Sequence, residues 1–170
     1  MRNYTTQMDA ARQGIITPEM KAVAAKEYRT EEEIRELVAK GQVAICANKL
    51  HTCIDPNGVG SMLRTKINVN LGVSRDCKDY DIEMEKVMAA VNMGAEAIMD
   101  LSSHGNTQPF RRKLTSECPA MIGTVPVYDS VIRYQRDLAT LTAKDFIDVV
   151  RLHAKDGVDF ITLHCGITRK

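Results

Sequence analysis

The chain has 170 residues, 44% of them hydrophobic and 26% charged, which is typical of one globular domain with a buried core and excludes a disordered tail. Its 23 basic and 22 acidic residues leave a net charge of +1, so overall electrostatics gives no argument for a nucleic-acid or membrane-surface partner. No apolar run approaches the roughly 20 residues of a membrane span, and the polar start lacks a signal-peptide core, which predicts a cytoplasmic protein.

The first segment, residues 1–41, predicts a helical amino-terminal appendage. Its pattern contains three short polar helices, and each begins after a threonine that can cap it: Thr6, Thr17 and Thr30. The third start also has the capping-box pattern, since Glu33 follows Thr30 at the required spacing.

The second segment, residues 42–62, predicts a brief strand at 43–47 followed by an irregular loop. The loop is rich in turn-forming and polar residues, so it is either a surface crossing or a lid over a site. His51 and Cys53 lie in it, but two potential ligands are too few for a metal, and we expect no metal site in this chain. The cysteines are odd in number and scattered, which favours reduced thiols: Cys46, Cys53, Cys77, Cys118 and Cys165.

The third segment, residues 63–170, predicts alternating strands and helices. Strands centred near residues 67, 98, 122 and 161 are each separated by a helix, which is the repeat of a parallel sheet. The helix at about 108–117 carries Arg111, Arg112 and Lys113, which we interpret as its basic outer face. Four such units are half of a (β/α)8 barrel, which needs about 250 residues when complete. The segment is therefore either a compact four-stranded α/β sheet or part of a longer protein.

Polar and reactive side chains follow the predicted strands at their carboxyl ends. Because these ends meet at one edge of a parallel sheet, the pattern predicts a functional site there. Each residue taken singly is better explained by loop hydrogen bonding or packing, since polar groups at strand ends need partners. The candidates are Asn70, Met99, Asp100, Ser102, Ser103, His104, Thr124, Tyr128, His164 and Cys165.

Other catalytic patterns receive little support. The chain has no Gly-x-Gly-x-x-Gly, no Walker loop and no Gly-x-Ser-x-Gly elbow, which argues against dinucleotide, P-loop and α/β-hydrolase chemistry. Lys66, inside the first predicted strand of the barrel-like segment, is a Schiff-base candidate for an aldolase-type barrel.

Four motifs resemble, in order and spacing, the phosphomethylpyrimidine synthase family. They are Leu-Arg-Thr-Lys-Ile-Asn-Val-Asn-Leu-Gly (63–72), Gly-Ala-Glu-Ala-Ile-Met-Asp-Leu-Ser (94–102), Ile-Gly-Thr-Val-Pro-Val-Tyr (122–128) and Asp-Gly-Val-Asp-Phe-Ile-Thr-Leu-His-Cys-Gly (156–166). The start of the chain, residues 6–17, is similar to that family's opening as well. The resemblance runs over nearly the whole chain but covers only the amino-terminal part of a family member.

The resemblance implies a radical S-adenosylmethionine lyase on a (β/α)8 barrel that acts on 5-aminoimidazole ribotide. It implies a [4Fe–4S] cluster and S-adenosylmethionine as cofactors, and a homodimer for the full-length enzyme. Carried over motif by motif, the positions expected to bind the substrate are Asn70, Met99, Tyr128 and His164.

Two products are compatible with this resemblance. Ser102-Ser103-His104-Gly105 stands where the family commonly has Ser-Thr-Gly-Gly, and Tyr128-Asp129-Ser130 where it usually has Tyr-Gln-Ala. Together with residues 68–72 and 118–123, these departures lead us to favour the branch that makes 5-hydroxybenzimidazole, the lower base of a cobalamin. The alternative is phosphomethylpyrimidine synthesis for thiamine.

The family's Cys-x-x-Cys-x-x-x-x-Cys cluster motif and the metal-binding histidines of its second barrel half have no counterpart among these residues. A [4Fe–4S] cluster needs thiolate ligands, so we expect this polypeptide to be inactive alone and to need the carboxyl-terminal half. A further alternative is a non-catalytic half-barrel that assembles through its open sheet edges.

Overall fold

A computed structural model of the chain describes residues 3–164. The chain divides into two compact units. The first unit runs to Ala47 and also includes Asp55–Lys66, while the second consists of Asn48–Ile54 and the described residues from Ile67 onward.

The first unit contains three helices and a two-stranded antiparallel ribbon. Each helix begins after the predicted threonine, whose side chain accepts a hydrogen bond from a backbone N–H in the first turn, and the capping box of Thr30 and Glu33 is confirmed. Buried apolar side chains of all three helices form this unit's core, together with Val43 and Ile45. The elements are α1 Gln7–Arg12, α2 Pro18–Glu27, α3 Glu31–Ala39, β1 Val43–Ile45 and β2 Gly58–Gly60.

Strand β2 lies inside the stretch that the sequence predicted to be irregular. It was missed because two of its three residues are glycines, which have low strand propensity. Gly60 has a φ of +148°, and a Cβ there would lie 2.1 Å from the carbonyl oxygen of Gln42. The close approach of the two strands therefore requires a glycine at position 60.

The second unit is a four-stranded sheet with helices between its strands. All neighbouring strands are parallel, and their order across the sheet is their order in the chain, which confirms the predicted alternation. No helix in the part of the chain that the structure describes is long and apolar enough to cross a membrane. The elements are β3 Asn68–Leu71, α4 Tyr80–Asn92, β4 Ala97–Asp100, α5 Gln108–Glu117, β5 Met121–Thr124, α6 Pro126–Tyr134, a 3-10 turn Leu138–Thr140, α7 Ala143–Lys155 and β6 Phe160–Ile161.

The first strand of this sheet is shorter than its alternating pattern predicted. Residues 63–67 are not in the ladder, and β3 begins only at Asn68. The backbone N–H of Arg64 donates instead to the carboxylate of Glu27, at 2.8 Å, and the Lys66 ammonium pairs with the same carboxylate. The alternating pattern does not show that the Arg64 N–H bonds to a side chain of α2 instead of to a neighbouring strand.

The two faces of the sheet carry different residues. One face carries Ile98 and Ile122, which pack against apolar side chains of α4 and α5, while α7 reaches the same face through a contact between His153 and Thr124. The opposite face carries a row of register partners, one from each strand: Asn70, Met99, Gly123 and Phe160.

Helix α5 has the predicted bounds, but its basic residues do not all face outward. The Arg111 side chain is only 1% exposed and pairs with buried carboxylates, whereas the neighbouring Arg112 side chain is 65% exposed. The prediction of a basic outer face was therefore wrong for Arg111. Helix periodicity predicts which positions share a face. It does not predict that acidic side chains from other elements lie against the buried face.

Candidate functional site

Asn70 and Met99 are direct register partners in β3 and β4, at the carboxyl half of each strand. Both lie on the face opposite Ile98 and Ile122, where Asn70 is exposed and Met99 is half-buried. The amide of Asn68 donates to Asn70 Oδ1 at 2.9 Å, so the Asn70 Nδ2 group faces away from this contact and remains a donor. The pair thus presents an amide beside an apolar thioether.

Gly123 continues this row into β5 and leaves room for an aromatic ring. Phe160, its register partner in β6, packs directly over it, and a Cβ at position 123 would lie 2.3 Å from the ring. The row therefore changes from polar at Asn70 to aromatic at Phe160, with no β5 side chain between Met99 and the ring.

Tyr128 and His164 form the second pair of predicted site residues. Tyr128 lies in the first turn of α6 and is 42% exposed, and His164 follows β6. Their ring centroids are 6.2 Å apart at an interplanar angle of 50°, a tilted ring contact. Within the described residues no hydrogen bond or ring contact joins this pair to Asn70 and Met99, and Cys165 lies outside those residues.

Asp100 and Ser102 have a structural role behind the sheet edge. Asp100 is buried on the helix side and accepts a hydrogen bond from the Ser102 N–H at 2.9 Å, and the Ser102 hydroxyl accepts from the Val73 N–H at 3.0 Å. Burial raises the pKa of the Asp100 carboxyl, although the Ser102 bonds and the charge of Arg111 oppose this. These contacts hold the loops that follow β3 and β4. Ser103 is exposed and His104 is half-buried nearby.

A buried polar network that the sequence analysis missed lies behind the same edge, and Asp129 of α6 is at its centre. Its carboxylate accepts hydrogen bonds from Thr107 Oγ1 at 2.5 Å and His153 Nε2 at 2.9 Å. Arg111 adds a longer contact of 3.4 Å. Burial alone would raise the pKa of Asp129, but these donors and the charge of Arg111 hold it below its usual value.

The network extends in two directions from Asp129. His153 Nδ1 contacts Thr124 Oγ1 at 2.8 Å, which joins α7 to the end of β5. Arg111 reaches the Asp156 carboxylate through Nε and a terminal nitrogen, at 3.1 and 3.0 Å. One sequence feature could have indicated that Arg111 is buried: it is adjacent to Phe110, and both belong to the buried residues of α5.

A cavity of about 460 Å³ lies beside this network. Its walls are the loop and first turn at residues 105–108, helix α6 and Leu152 of α7. Asp129 and Arg133 place opposite charges on its lining. The cavity is thus mainly polar and lies on the helix side of the sheet.

The loop containing His51 is attached near the amino ends of β5 and β6. His51 lies between the Asp159 carboxylate and the Cys118 carbonyl oxygen, each 2.7 Å from one ring nitrogen. Asp159 also accepts from the Asn48 and Ile122 N–H groups, both at 2.7 Å. This attachment favours a structural role for residues 48–54 rather than the alternative of a lid over the carboxyl edge.

The cysteines do not assemble into a metal site in residues 3–164. No group of three Cys, His, Asp or Glu side chains there could hold a metal ion. The four described cysteines are free, and burial raises the pKa of Cys118 to about 11, which keeps its thiol protonated. These residues do not fit a [4Fe–4S] cluster, which needs several converging thiolates.

Lys66 is held in a buried ion pair in the first unit. Its Nζ donates to Glu27 Oε1 and to the Arg64 carbonyl oxygen, both at 2.6 Å, and its side chain is 5% exposed. It lies outside the strands, contrary to the sequence prediction. An ammonium with a carboxylate partner is a poor Schiff-base nucleophile, so this geometry argues against the aldolase alternative.

The geometry defines a parallel α/β protein with polar side chains at the carboxyl edge of its sheet. Comparison with known proteins gives the family: the Radical SAM ThiC family matches residues 6–170. The chain belongs to that family.

Curated relatives agree with this assignment. The chain is 60% identical over 148 residues to a protein from Alkaliphilus oremlandii, and 59% identical over 167 residues to one from Clostridioides difficile. It is also 59% identical over 168 residues to a protein from Clostridium novyi. All three are named phosphomethylpyrimidine synthase, and the matches cover 87%, 98% and 99% of this chain. The chain spans 34 to 39% of the length of these relatives.

Proposed function

We propose that this chain is part of a phosphomethylpyrimidine synthase and supplies half of its barrel and part of its binding site for 5-aminoimidazole ribotide. The observation that carries the proposal is identity of 59 to 60% to synthases of that name over almost the entire chain. The relatives' name favours the pyrimidine product, whereas nothing in the comparisons supports the benzimidazole product that the sequence analysis preferred.

The sheet geometry supports a half-barrel. In a doubly wound sheet the strand order reverses and helices cover both faces, whereas in a barrel wall the strands follow chain order and the helices stay outside. Strands β3 to β6 follow chain order, and apolar side chains of α4 and α5 pack on one face of the sheet. The row of Asn70, Met99, Gly123 and Phe160 then belongs to the barrel interior.

The four proposed substrate residues suit a small heteroaromatic ribotide. The Asn70 amide can donate to and accept from ring nitrogen and amine groups, and Met99 offers a polarisable apolar surface to a planar ring. Tyr128 and His164 add two aromatic rings in contact with each other, and each ring carries polar atoms that can bond to the ribotide. We assign this chain the binding and orientation of the substrate. S-adenosylmethionine and the [4Fe–4S] cluster supply the radical chemistry of the family, and the described residues do not hold that cluster.

Calorimetric titration of the chain with 5-aminoimidazole ribotide tests this proposal. Tyr128→Phe removes the phenol hydroxyl and His164→Gln replaces the imidazole ring, so each should lose a contact with the ribotide and weaken binding about tenfold. Tyr28→Phe and His104→Gln are matched controls that should leave binding unchanged, because Tyr28 lies in the other unit, 94% exposed, and His104 is outside the four proposed contacts. Equal effects in both sets, or no binding by the folded chain, would contradict it.

The non-catalytic assembly alternative has one supporting observation. Within residues 3–164, strands β3 and β6 each pair on one side only, so both leave an open edge. We propose that the carboxyl-terminal half of the enzyme covers these edges. Sedimentation analysis separates the alternatives, because self-association without ribotide binding would favour the assembly protein, whereas binding by a chain that recruits the carboxyl-terminal half would favour the synthase.

A further inference from the structure

We infer that Asp129 is a positioning residue that fixes the first turn of α6 and thereby directs Tyr128 toward His164. The Tyr128 ring contact with His164 is a feature of the structure. Its use in ribotide binding rests on the proposed function. Asp129 touches no proposed substrate contact and acts through its neighbour in the chain.

Three elements hold Asp129 at once. Thr107 donates from the loop before α5, Arg111 from α5 itself, and His153 from α7. Charge-assisted hydrogen bonds in a buried site are stronger and geometrically more restrictive than exposed ones. Donors from three elements therefore restrain the Asp129 carboxylate and, through it, the rotation of α6 about its axis.

Helix α6 begins without a side-chain cap. Its N-cap is Val125, which cannot cap with its side chain, and Pro126 follows in the first turn. The Ser130 hydroxyl bonds only within the helix, to the Pro126 carbonyl oxygen at 2.8 Å. Pro126 and Ser130 are buried as well, but among the described side chains of this turn Asp129 is the one that hydrogen-bonds to other elements.

The geometry of a helix links Asp129 to Tyr128. Consecutive residues lie about 100° apart around an α-helix, so a carboxylate held inward fixes the direction of the preceding side chain. Asp129 is buried, while Tyr128 is exposed and reaches the His164 ring. His153 also joins Asp129 to Thr124, the last residue of β5, so the strand end and the helix start are held by one network.

A double-mutant cycle between Tyr128 and Asp129 tests the inference. Asp129→Asn keeps the shape but loses the charge, and it should weaken ribotide binding about tenfold through misplacement of Tyr128. In the Tyr128→Ala background the same change should have no further effect on binding. Glu27→Gln is the matched control, because Glu27 is also a buried carboxylate with a cationic partner but lies in the other unit. It should lower stability without lowering affinity.

A readout without ligand separates this inference from the proposed function. His164 is one of four histidines, and its ring-proton NMR shifts report the ring current of Tyr128. Asp129→Asn should move these shifts toward those of Tyr128→Ala. If Asp129→Asn does not fold, Thr107→Val removes a single donor and should give a smaller change in the same direction. Unchanged His164 shifts in a destabilised variant, or additive losses in the cycle, would overturn the inference. Absence of ribotide binding by the wild-type chain would instead count against the proposed function, while the NMR result would still decide the positioning role.

Discussion

His51 and Asp159 form a buried ion pair in which the imidazole carries both protons. His51 Nδ1 lies 2.7 Å from Asp159 Oδ2, and its Nε2 lies 2.7 Å from the Cys118 carbonyl oxygen. Neither oxygen can donate, so both ring nitrogens must. Burial lowers the pKa of His51, but the Asp159 carboxylate and the Cys118 carbonyl outweigh it, and the pKa of His51 is raised above its usual value of 6.5.

Stability should therefore fall as the pH rises above about 6.5. A histidine with a raised folded-state pKa contributes stability that is complete below the unfolded pKa of about 6.5 and is lost as pH rises through the folded pKa. Urea unfolding between pH 5 and pH 9 measures this loss. His51→Gln should remove that component of the pH profile, and identical profiles for the two proteins would show that the pair does not contribute.

Arg111 and Arg112 are adjacent in sequence but should differ in their contribution to stability. Arg111→Ala leaves the buried carboxylates of Asp129 and Asp156 without their main cation, and we expect a loss of about 3–5 kcal/mol. Arg112→Ala removes an exposed partner of Asp156 and should cost about 1 kcal/mol or less. Chemical denaturation of both variants checks the difference, and equal losses would contradict the buried network.

Gly123 should not tolerate a side chain while Phe160 packs over it. Gly123→Ala forces the ring to move and should destabilise the protein by about 1–3 kcal/mol. In a Phe160→Ala background the obstacle is gone, so the same substitution should cost much less. Unfolding free energies of the four proteins measure this coupling, and additive losses would show that the ring does not determine the need for glycine.

Lys66 should not form a Schiff base. Its ammonium is buried against Glu27 and the Arg64 carbonyl oxygen, so it has little freedom to attack a carbonyl. Borohydride treatment with a small carbonyl compound, followed by mass spectrometry of the peptide containing Lys66, should show no reduced adduct. A stoichiometric adduct at Lys66 would reinstate the aldolase alternative.

The sequence predicted those parts of the fold that depend on local patterns. Threonine caps, the bounds of α5 and the alternation of parallel strands with helices follow from residue type and spacing, and all are present. The failures concern contacts between distant residues. The Glu27 carboxylate accepts a hydrogen bond from the Arg64 N–H, and the buried Asp156 carboxylate pairs with Arg111. Neither contact can be predicted from a local sequence pattern.

The candidate site shows the same division. Its residues stand out because polar and reactive types follow apolar strands, and the register places Asn70 beside Met99. The role of Asp129 was not predictable, because its donors come from positions 107, 111 and 153 and meet only in the folded chain. In the sequence, Asp129 differs from the glutamine that usually follows the tyrosine in this family, but that difference does not predict its hydrogen bonds.

Product analysis of a reconstituted enzyme tests the central claim most directly. The chain would be combined with the carboxyl-terminal part of the Clostridioides difficile relative, a reconstituted [4Fe–4S] cluster, S-adenosylmethionine and 5-aminoimidazole ribotide under reducing, anaerobic conditions. We predict phosphomethylpyrimidine by mass spectrometry, with its yield reduced by His164→Gln and unaffected by His104→Gln. Formation of 5-hydroxybenzimidazole, or no product from two folded parts that associate, would contradict the account.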